Sequence, residues 1–353
     1  MLAPAPPVSV PPTSKSAVAP SEDIPIIDIR SIAASPTVVG LEDGIRTQVI
    51  AGLSRRYNER ELPSLLLYDE EGLRLFEEIT YQPDYYLTDL EISILSKYAS
   101  QIADAISDGA IVLELGAGAL RKTALILDAI EAQKKSVTYL ALDLDRAELV
   151  RTLGQLRGRY NCVSLAGLWG TYDDGRAWLT GTKDHARFIL WLGSSIGNMT
   201  RHDAGQFIRS FADVLTPQDR FVVAIDSKLH DTDVIRRAYG SIAQRFALNA
   251  LVNLNKLFAA DVVDVSHFEY RPYYNEIKGR NEAYFRCMTE TQLRIPDQTP
   301  ITIYEGEFIR FAFSHKYDEI ERQLLWTSAN AQAVKEWSSD GQGYTLTMLS
   351  WFQ

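Results

Sequence analysis

The chain is poor in cysteine. Only Cys162 and Cys287 occur in 353 residues, too few for a disulfide framework or a multi-cysteine metal site, and they fit a reducing compartment. Basic charge is also short: 36 Lys and Arg stand against 46 Asp and Glu, a formal net charge of −10. No dense Lys/Arg block appears, so nucleic acid and anionic membranes are disfavoured as partners. No apolar run reaches the roughly 18 residues of a membrane span. The N-terminus lacks the basic-then-apolar order of a secretory signal, and the expected location is cytoplasmic. Histidines are few, and His230, His267 and His315 show no metal-ligand spacing. No metal is expected.

What is present is an ordinary globular balance, 46% hydrophobic and 23% charged, long enough for one large domain or two joined ones. Residues 1–23 are rich in Pro, Ala and Ser, cannot bury enough apolar area to offset their ordering entropy, and read as a disordered tail. Order is expected from the β-prone run at Ile24. Within Tyr68–Tyr86 the apolar spacing suggests a short helix after Gly72, broken near Pro83. Leu87–Ile106 reads as a long helix with Thr88 or Asp89 as N-cap and Glu91 in its first turn.

A strand–helix rhythm follows. Ala110–Gly118, Ser136–Asp145, the run from Asn161 to Gly170, Ala186–Asn198 and the run from Asp219 to Ser227 are apolar segments separated by helical ones. Strands apolar on both faces and alternating with helices imply a parallel sheet covered on both sides. Ser227–Tyr317 breaks the rhythm and reads as an inserted region. A helix over Tyr317–Leu325 and two β-runs around Asp340-Gly341-Gln342-Gly343 complete the chain.

Three constellations carry chemistry. The first is Glu114-Leu-Gly116-Ala-Gly118 at the end of the first strand of the α/β region, with Asp143 ending the next strand about 25 residues beyond Gly118. Glycines there let backbone approach a ligand, and an acid at that strand end suits the hydroxyls of an adenosine ribose. Arg121 stands where a phosphate-binding loop would have its third glycine. That favours a nucleoside without pyrophosphate, such as S-adenosylmethionine, over NAD. Lys122 is as compatible with an exposed first-turn lysine as with a ligand for the cofactor carboxylate. The second is Leu192–Asn198, at the end of the fourth strand. Asn198 can donate and accept toward an amino acid, although spacing alone favours a helix cap ahead of Thr200 and Asp203. The third is the tyrosine set Tyr68, Tyr85, Tyr86 and Tyr239; each, taken singly, is more often a core residue than a ligand contact.

From about Leu62 to the C-terminus these residues resemble the histidine Nα-methyltransferases of ergothioneine biosynthesis and their fungal relatives. The resemblance rests on YDEEGLRLFEEITYQPDYYLTDLE, LELGAGALRKT, ALDLD, WLGSSIGNMT and GEFIRFAFSHKY. It implies an α/β enzyme: a Rossmann-like class I methyltransferase sheet with an inserted α+β substrate-binding domain. Residues 92–227 and 317–353 would form the sheet domain, and 24–91 and 228–316 the substrate-binding domain. The resemblance implies S-adenosylmethionine as methyl donor and a small amino acid as substrate. It places substrate contacts at Tyr68, Tyr85, Asn198 and Tyr239, with Tyr68 and Asn198 at the reacting nitrogen. Cofactor contacts fall at Glu114, Gly116, Gly118, Lys122, Asp143, Thr171 and Tyr172. The family's Gly-Asp-Phe reads Gly170-Thr171-Tyr172 here, so the adenine contact there has lost its aspartate. A monomer or homodimer is expected.

The departure lies at the side-chain pocket. Histidine-specific members resemble I-E-M-H-L and I-R-T-E-x-S-x-K; here the segments read Asn281–Phe285 and Ile309–Lys316, with Ala283 for methionine and Ala312 for the imidazole-binding glutamate, ahead of Ser314. Such a site should reject histidine, whose polar ring would be left unpaired, and accept an indole. Strand alternation should point Phe311 and Phe313 away from the Ala312 face. No dedicated base is evident; Glu282 is a candidate, with a structural role as the alternative. The resemblance extends to the 4-dimethylallyltryptophan N-methyltransferases of ergot alkaloid biosynthesis, with tryptophan and then histidine Nα-methylation as alternative activities. A nucleotide-dependent oxidoreductase and a non-catalytic binding protein are the readings from other classes. The missing third glycine counts against the former, and Gly116, Gly118 and Asp143 against the latter.

Overall fold

The computed structural model describes residues 23–30 and 40–351; the expected disordered tail, apart from Asp23, lies outside them. The strands are β1 (Ile26–Asp28), β2 (Ile111–Leu115), β3 (Val137–Asp143), β4 (Val163–Trp169), β5 (Arg187–Trp191), β6 (Arg220–Asp226), β7 (Phe268–Asn275), β8 (Arg280–Cys287), β9 (Thr291–Leu293), β10 (Ile301–Ile303), β11 (Phe308–His315), β12 (Ala331–Ser338) and β13 (Tyr344–Trp351).

Eight of them form one sheet in the order β1-β4-β3-β2-β5-β6-β13-β12. β1 to β6 pair in parallel, and β13 is antiparallel to both β6 and β12. Every residue of β2 and β5 is buried, as expected where helices cover both faces. Ile94, Leu95, Ile126 and Leu127 pack on one face, and Trp178, Ile208, Phe211 and Trp326 on the other. Burial of each such side chain contributes roughly 1.5–3 kcal/mol. Chain order reverses at β2, whose neighbours are β3 and β5. The crevice beyond β2 and β5 is therefore the topological switch point where such sheets bind ligands.

The inserted region builds a second layer. β11, β8 and β7 form an antiparallel sheet, with the β9–β10 hairpin beside it. A third apolar cluster joins this sheet to the helices Leu41–Leu53 and Gln244–Phe258 and the turn Ser64–Leu67. The α/β core with an α+β insertion is thus observed. β1 departs from the expected domain division: although it precedes residue 91, it pairs with β4 at the edge of the main sheet.

Local corrections have local causes. The helix expected after Gly72 runs Glu70–Ile79 because the Asp69 side chain caps it, accepting from Gly72 N at 2.9 Å. The long helix begins at Tyr86 and runs to Asp104. Thr88 and Asp89 lie inside its first turn, so neither is its N-cap. The last helix is Glu319–Ser328, set by a capping box between Asp318 and Glu321. Among the described residues, no helix is long and apolar enough to cross a membrane.

Candidate active site

At the switch point β2 ends in a turn that only glycine adopts easily: Gly116 has φ +68° and Gly118 φ +51°. The Gly116 and Ala117 N–H groups donate to Leu142 O at 2.9 and 3.2 Å, stitching the turn to the end of β3. Asp143, the next residue, accepts from Gly118 N at 3.5 Å and from Asp145 N at 3.1 Å. Burial pushes its carboxyl up to about 6, with those backbone bonds opposing. A Cβ on Gly116 would stand 2.7 Å from the Tyr172 hydroxyl. Glycine thus leaves a cradle between the turn and that ring. An open cradle beside a strand-end carboxylate fits the adenosine moiety of S-adenosylmethionine.

The other expected cofactor residues divide. Tyr172 faces the turn. The Thr171 side chain is committed to capping its own helix, donating to Asp174 Oδ2 at 2.7 Å and accepting from Asp174 N at 3.1 Å. Glu114 points into the core. Thr123 Oγ1 bonds both of its oxygens at 2.8 and 2.7 Å, and Tyr139 OH donates at 2.5 Å. Burial pushes this carboxyl up to about 7. Glu114 braces the glycine turn from behind. Lys122 is not a free surface lysine: its ammonium pairs with the buried Glu91. The other Glu91 oxygen accepts from Gly193 N at 2.9 Å and Tyr344 OH at 3.2 Å. Glu91 thereby ties together the long helix, the glycine-turn lysine, the end of β5 and β13.

Across the crevice lies the loop after β5. Ser194 takes the left-handed region at φ 54° and Ser195–Asn198 makes one 3₁₀ turn. The helix that follows is capped by Thr200, whose hydroxyl accepts from Asp203 N at 3.1 Å. The cap reading of Asn198 is therefore overturned. Its side chain is exposed and acts on the Tyr68 phenol, which burial raises and Asn198 partly lowers again. A Cβ on Gly197 would meet His315 O at 2.8 Å, so glycine lets this loop seat against β11.

Tyr85 is 9% exposed and meets the rings of Phe76 and Tyr239 edge-on at 6.0 and 6.4 Å. Tyr239 OH donates to Ser314 Oγ at 3.0 Å, and Lys316 Nζ donates to Tyr239 OH at 2.7 Å and to Ser314 Oγ at 3.1 Å. Burial pushes the Tyr85 and Tyr239 phenols upward, keeping them neutral. Lys316 in turn pairs with Asp226 Oδ2 at 2.5 Å, and Tyr86 OH donates to the same oxygen at 2.7 Å. Burial raises the Asp226 carboxyl, but Lys316 and His230 outweigh it and leave it below its usual value. His230 Nε2 lies 3.1 Å from Asp226 Oδ1, yet Oδ1 has no hydrogen bond of proper geometry. The bond His230 does make is to Gly343 O at 2.6 Å.

Sequence reasoning missed Glu91, Asp226 and Lys316. Asp226 carried a usable signal, since it ends an apolar strand just as Asp143 does. Glu91 carried none, because an acid near a helix start reads as a dipole partner.

The residues expected at the substrate side chain lie on β8 and β11. Ala312 is the register partner of Ala283, and Ser314 of Asn281, so the two alanines are direct cross-strand neighbours on one face. The Phe311 expectation fails. A β-bulge between Arg310 and Ala312 inserts Phe311 into the alanine face, where it stacks on Phe285 at 4.0 Å. Phe313 lies on the opposite face, beneath the Arg280 guanidinium. Glu282 is on that opposite face too, bonded by Arg280 Nε at 2.7 Å and Tyr284 OH at 2.5 Å. It is turned away from the alanine face and taken up by those partners, which counts against the base reading.

Comparison with known proteins gives the family. A family model described as histidine-specific, SAM-dependent methyltransferase matches residues 45–351. Ergothioneine biosynthesis protein 1 of Neurospora crassa is 38% identical over 92% of this chain and 36% of its own length; the chain thus spans about a third of that relative. A 4-dimethylallyltryptophan N-methyltransferase of Aspergillus fumigatus is 33% identical over 89% of this chain and 94% of its own. Its namesake in Penicillium roqueforti is 35% identical over 90% and 94%.

Proposed function

The chain belongs to the SAM-dependent, histidine-specific methyltransferase family and is an N-methyltransferase, and from that premise we propose that it methylates the α-nitrogen of an indole amino acid, 4-dimethylallyl-L-tryptophan above all. The observation that carries this reading is the direct opposition of Ala283 and Ala312 on β8 and β11. Two truncated side chains facing one another leave volume and offer no carboxylate of their own, which suits a large, largely apolar ring better than a small, polar imidazole. Two relatives of nearly the same length are named for the prenylated substrate, which supports the prenyl group.

The donor supplies a methyl on a sulfonium; the residues that would hold it are Gly116, Gly118, Asp143, Tyr172 and Lys122. The chain's own task is positioning, because in-line transfer needs the nitrogen held on the axis of the breaking bond. Tyr68 and Asn198, close enough to influence one another, would orient the amine. Tyr239 and Tyr85 would hold the rest of the amino-acid head. The amine must present a lone pair, so it has to be neutral. Glu91, Asp226 and Glu282 are each engaged by a cation and none faces the amine as a free base. The amine proton therefore leaves to solvent or through the Tyr68 hydroxyl, which burial keeps protonated and so able to accept only as it donates.

The test is incubation with S-adenosylmethionine and, in parallel, histidine, tryptophan and 4-dimethylallyltryptophan, read by mass spectrometry. The expected result is a methyl gain on the indole substrates, greatest on the prenylated one. Methylation of histidine alone would overturn the proposal.

A further inference from the structure

The Asn281 side chain lies on the alanine face of β8 with no hydrogen-bond partner among the described residues. It is 2% exposed and lies in register with Ser314 on β11 and Tyr274 on β7. Two residues along the same strand face stands Ala283. No described residue hydrogen-bonds its side-chain amide, and the amide atoms are not among the sealed, unpartnered ones. Its neighbours show how unusual this is. Ser314 is satisfied by Tyr239 and Lys316, and on the other face Glu282 is satisfied by Arg280 and Tyr284. An amide that is nearly buried and left unmatched is destabilising unless something enters to pair with it.

Its place on the sheet says what enters. Asn281 is the diagonal neighbour of Ala312, about 7–8 Å away in side-chain origin, within reach of the edge of a ring lying over the two alanines. A ring that fills this apolar floor and carries one N–H donor needs one acceptor at its rim. Among the floor residues Ala283, Ala312, Phe285 and Phe311 there is no such atom. Ser314 is already engaged by Tyr239 and Lys316.

Resting on the indole reading above, we infer that the Asn281 side-chain carbonyl accepts the ring N–H of the substrate and is a specificity-determining residue. In this arrangement the alanines admit the ring by volume, and Asn281 reads its nitrogen.

The test compares kcat/KM for tryptophan and for its sulfur isostere, 3-(1-benzothiophen-3-yl)alanine, which has the same shape and no N–H. Both are measured with the wild-type enzyme, Asn281→Leu, Asn281→Ala and Asn281→Asp, with circular-dichroism melting to verify folding. The wild type should prefer the N–H substrate by about tenfold or more. Asn281→Leu and Asn281→Ala should bring the two substrates to within about threefold of each other, by slowing tryptophan alone, whereas Asn281→Asp, which keeps an acceptor, should retain the preference. A wild-type ratio near one overturns the inference without recourse to any variant. So does a folded Leu or Ala variant that keeps the wild-type ratio, or one that slows both substrates equally, since that assigns the amide to the amino-acid head instead. Turnover of histidine with neither indole-type substrate would instead bring down the proposed function, and this inference with it.

Discussion

Lys316 Nζ and Asp226 Oδ2 lie 2.5 Å apart with neither side chain exposed. This pair is the rigid base on which Tyr239 and Ser314 stand. Removing one member of a buried pair leaves an uncompensated charge. Lys316→Met should therefore destabilise the protein by about 3–5 kcal/mol, and Lys316→Met with Asp226→Asn should cost less than the sum of the two single changes. The Asp226 carboxyl is held below its ordinary 3.8, so its contribution is present above that pH and is lost as pH falls through the lower, folded value. Thermal melts from pH 3 to 8 test both points.

Gly116 and Gly118 both have positive φ, but only Gly116 has a neighbour, the Tyr172 hydroxyl, where a Cβ would go. Gly116→Ala should abolish donor binding by calorimetry, and Gly118→Ala should weaken it less. Tyr172→Phe in the Gly116→Ala background should recover part of the loss, leaving only the backbone strain of about 1–2 kcal/mol.

Asp143, with its carboxyl raised to about 6, should make donor affinity depend on pH. Below that value the carboxyl is neutral and has lost its best acceptor for ribose hydroxyls. KM for the donor should rise as pH falls from 7 to 5, and Asp143→Asn should show weak, pH-independent binding, lower by about 10- to 100-fold at pH 8. In the empty protein the sign is the opposite. A raised carboxyl favours the fold below its unfolded value, and that contribution is lost as pH rises through 6.

Ala312→Glu places a carboxylate directly opposite Ala283. The volume for a large ring closes and a charge faces it, so kcat/KM on indole substrates should fall by roughly tenfold or more. Histidine should gain, as the new carboxylate offers an acceptor to an imidazole N–H. An unchanged specificity constant would count against the pocket assignment.

Much of the sheet was legible because burial on both faces writes continuous apolar runs, and the runs ending in Leu115, Asp143, Trp191 and Asp226 are β2, β3, β5 and β6. The glycine turn and Asp143 were legible for the same reason: they follow such runs at once. Legibility failed where a side chain's partner is far away in sequence. Lys122 could not be told from a surface lysine because Glu91 is 31 residues earlier. Asn198 looked like a cap because Thr200, two residues on, carries the same capability. Phe311 looked outward because period-two alternation holds only until a bulge adds a residue. That Ala283 and Ala312 serve one pocket rests on likeness to a family; that they are cross-strand partners came only with the β8–β11 register.

One helix, Tyr86–Asp104, reaches both sides of the crevice: Tyr86 bonds Asp226 beneath the amino-acid side, and Glu91 holds Lys122 and Gly193 on the donor side. The two proposed ligand sites therefore rest on one helix. Occupancy of one half should preset the other, so each ligand should bind more tightly when its companion is already seated, by the same factor in either order. Glu91→Gln, which slackens the donor end of that helix, should make the two bindings independent.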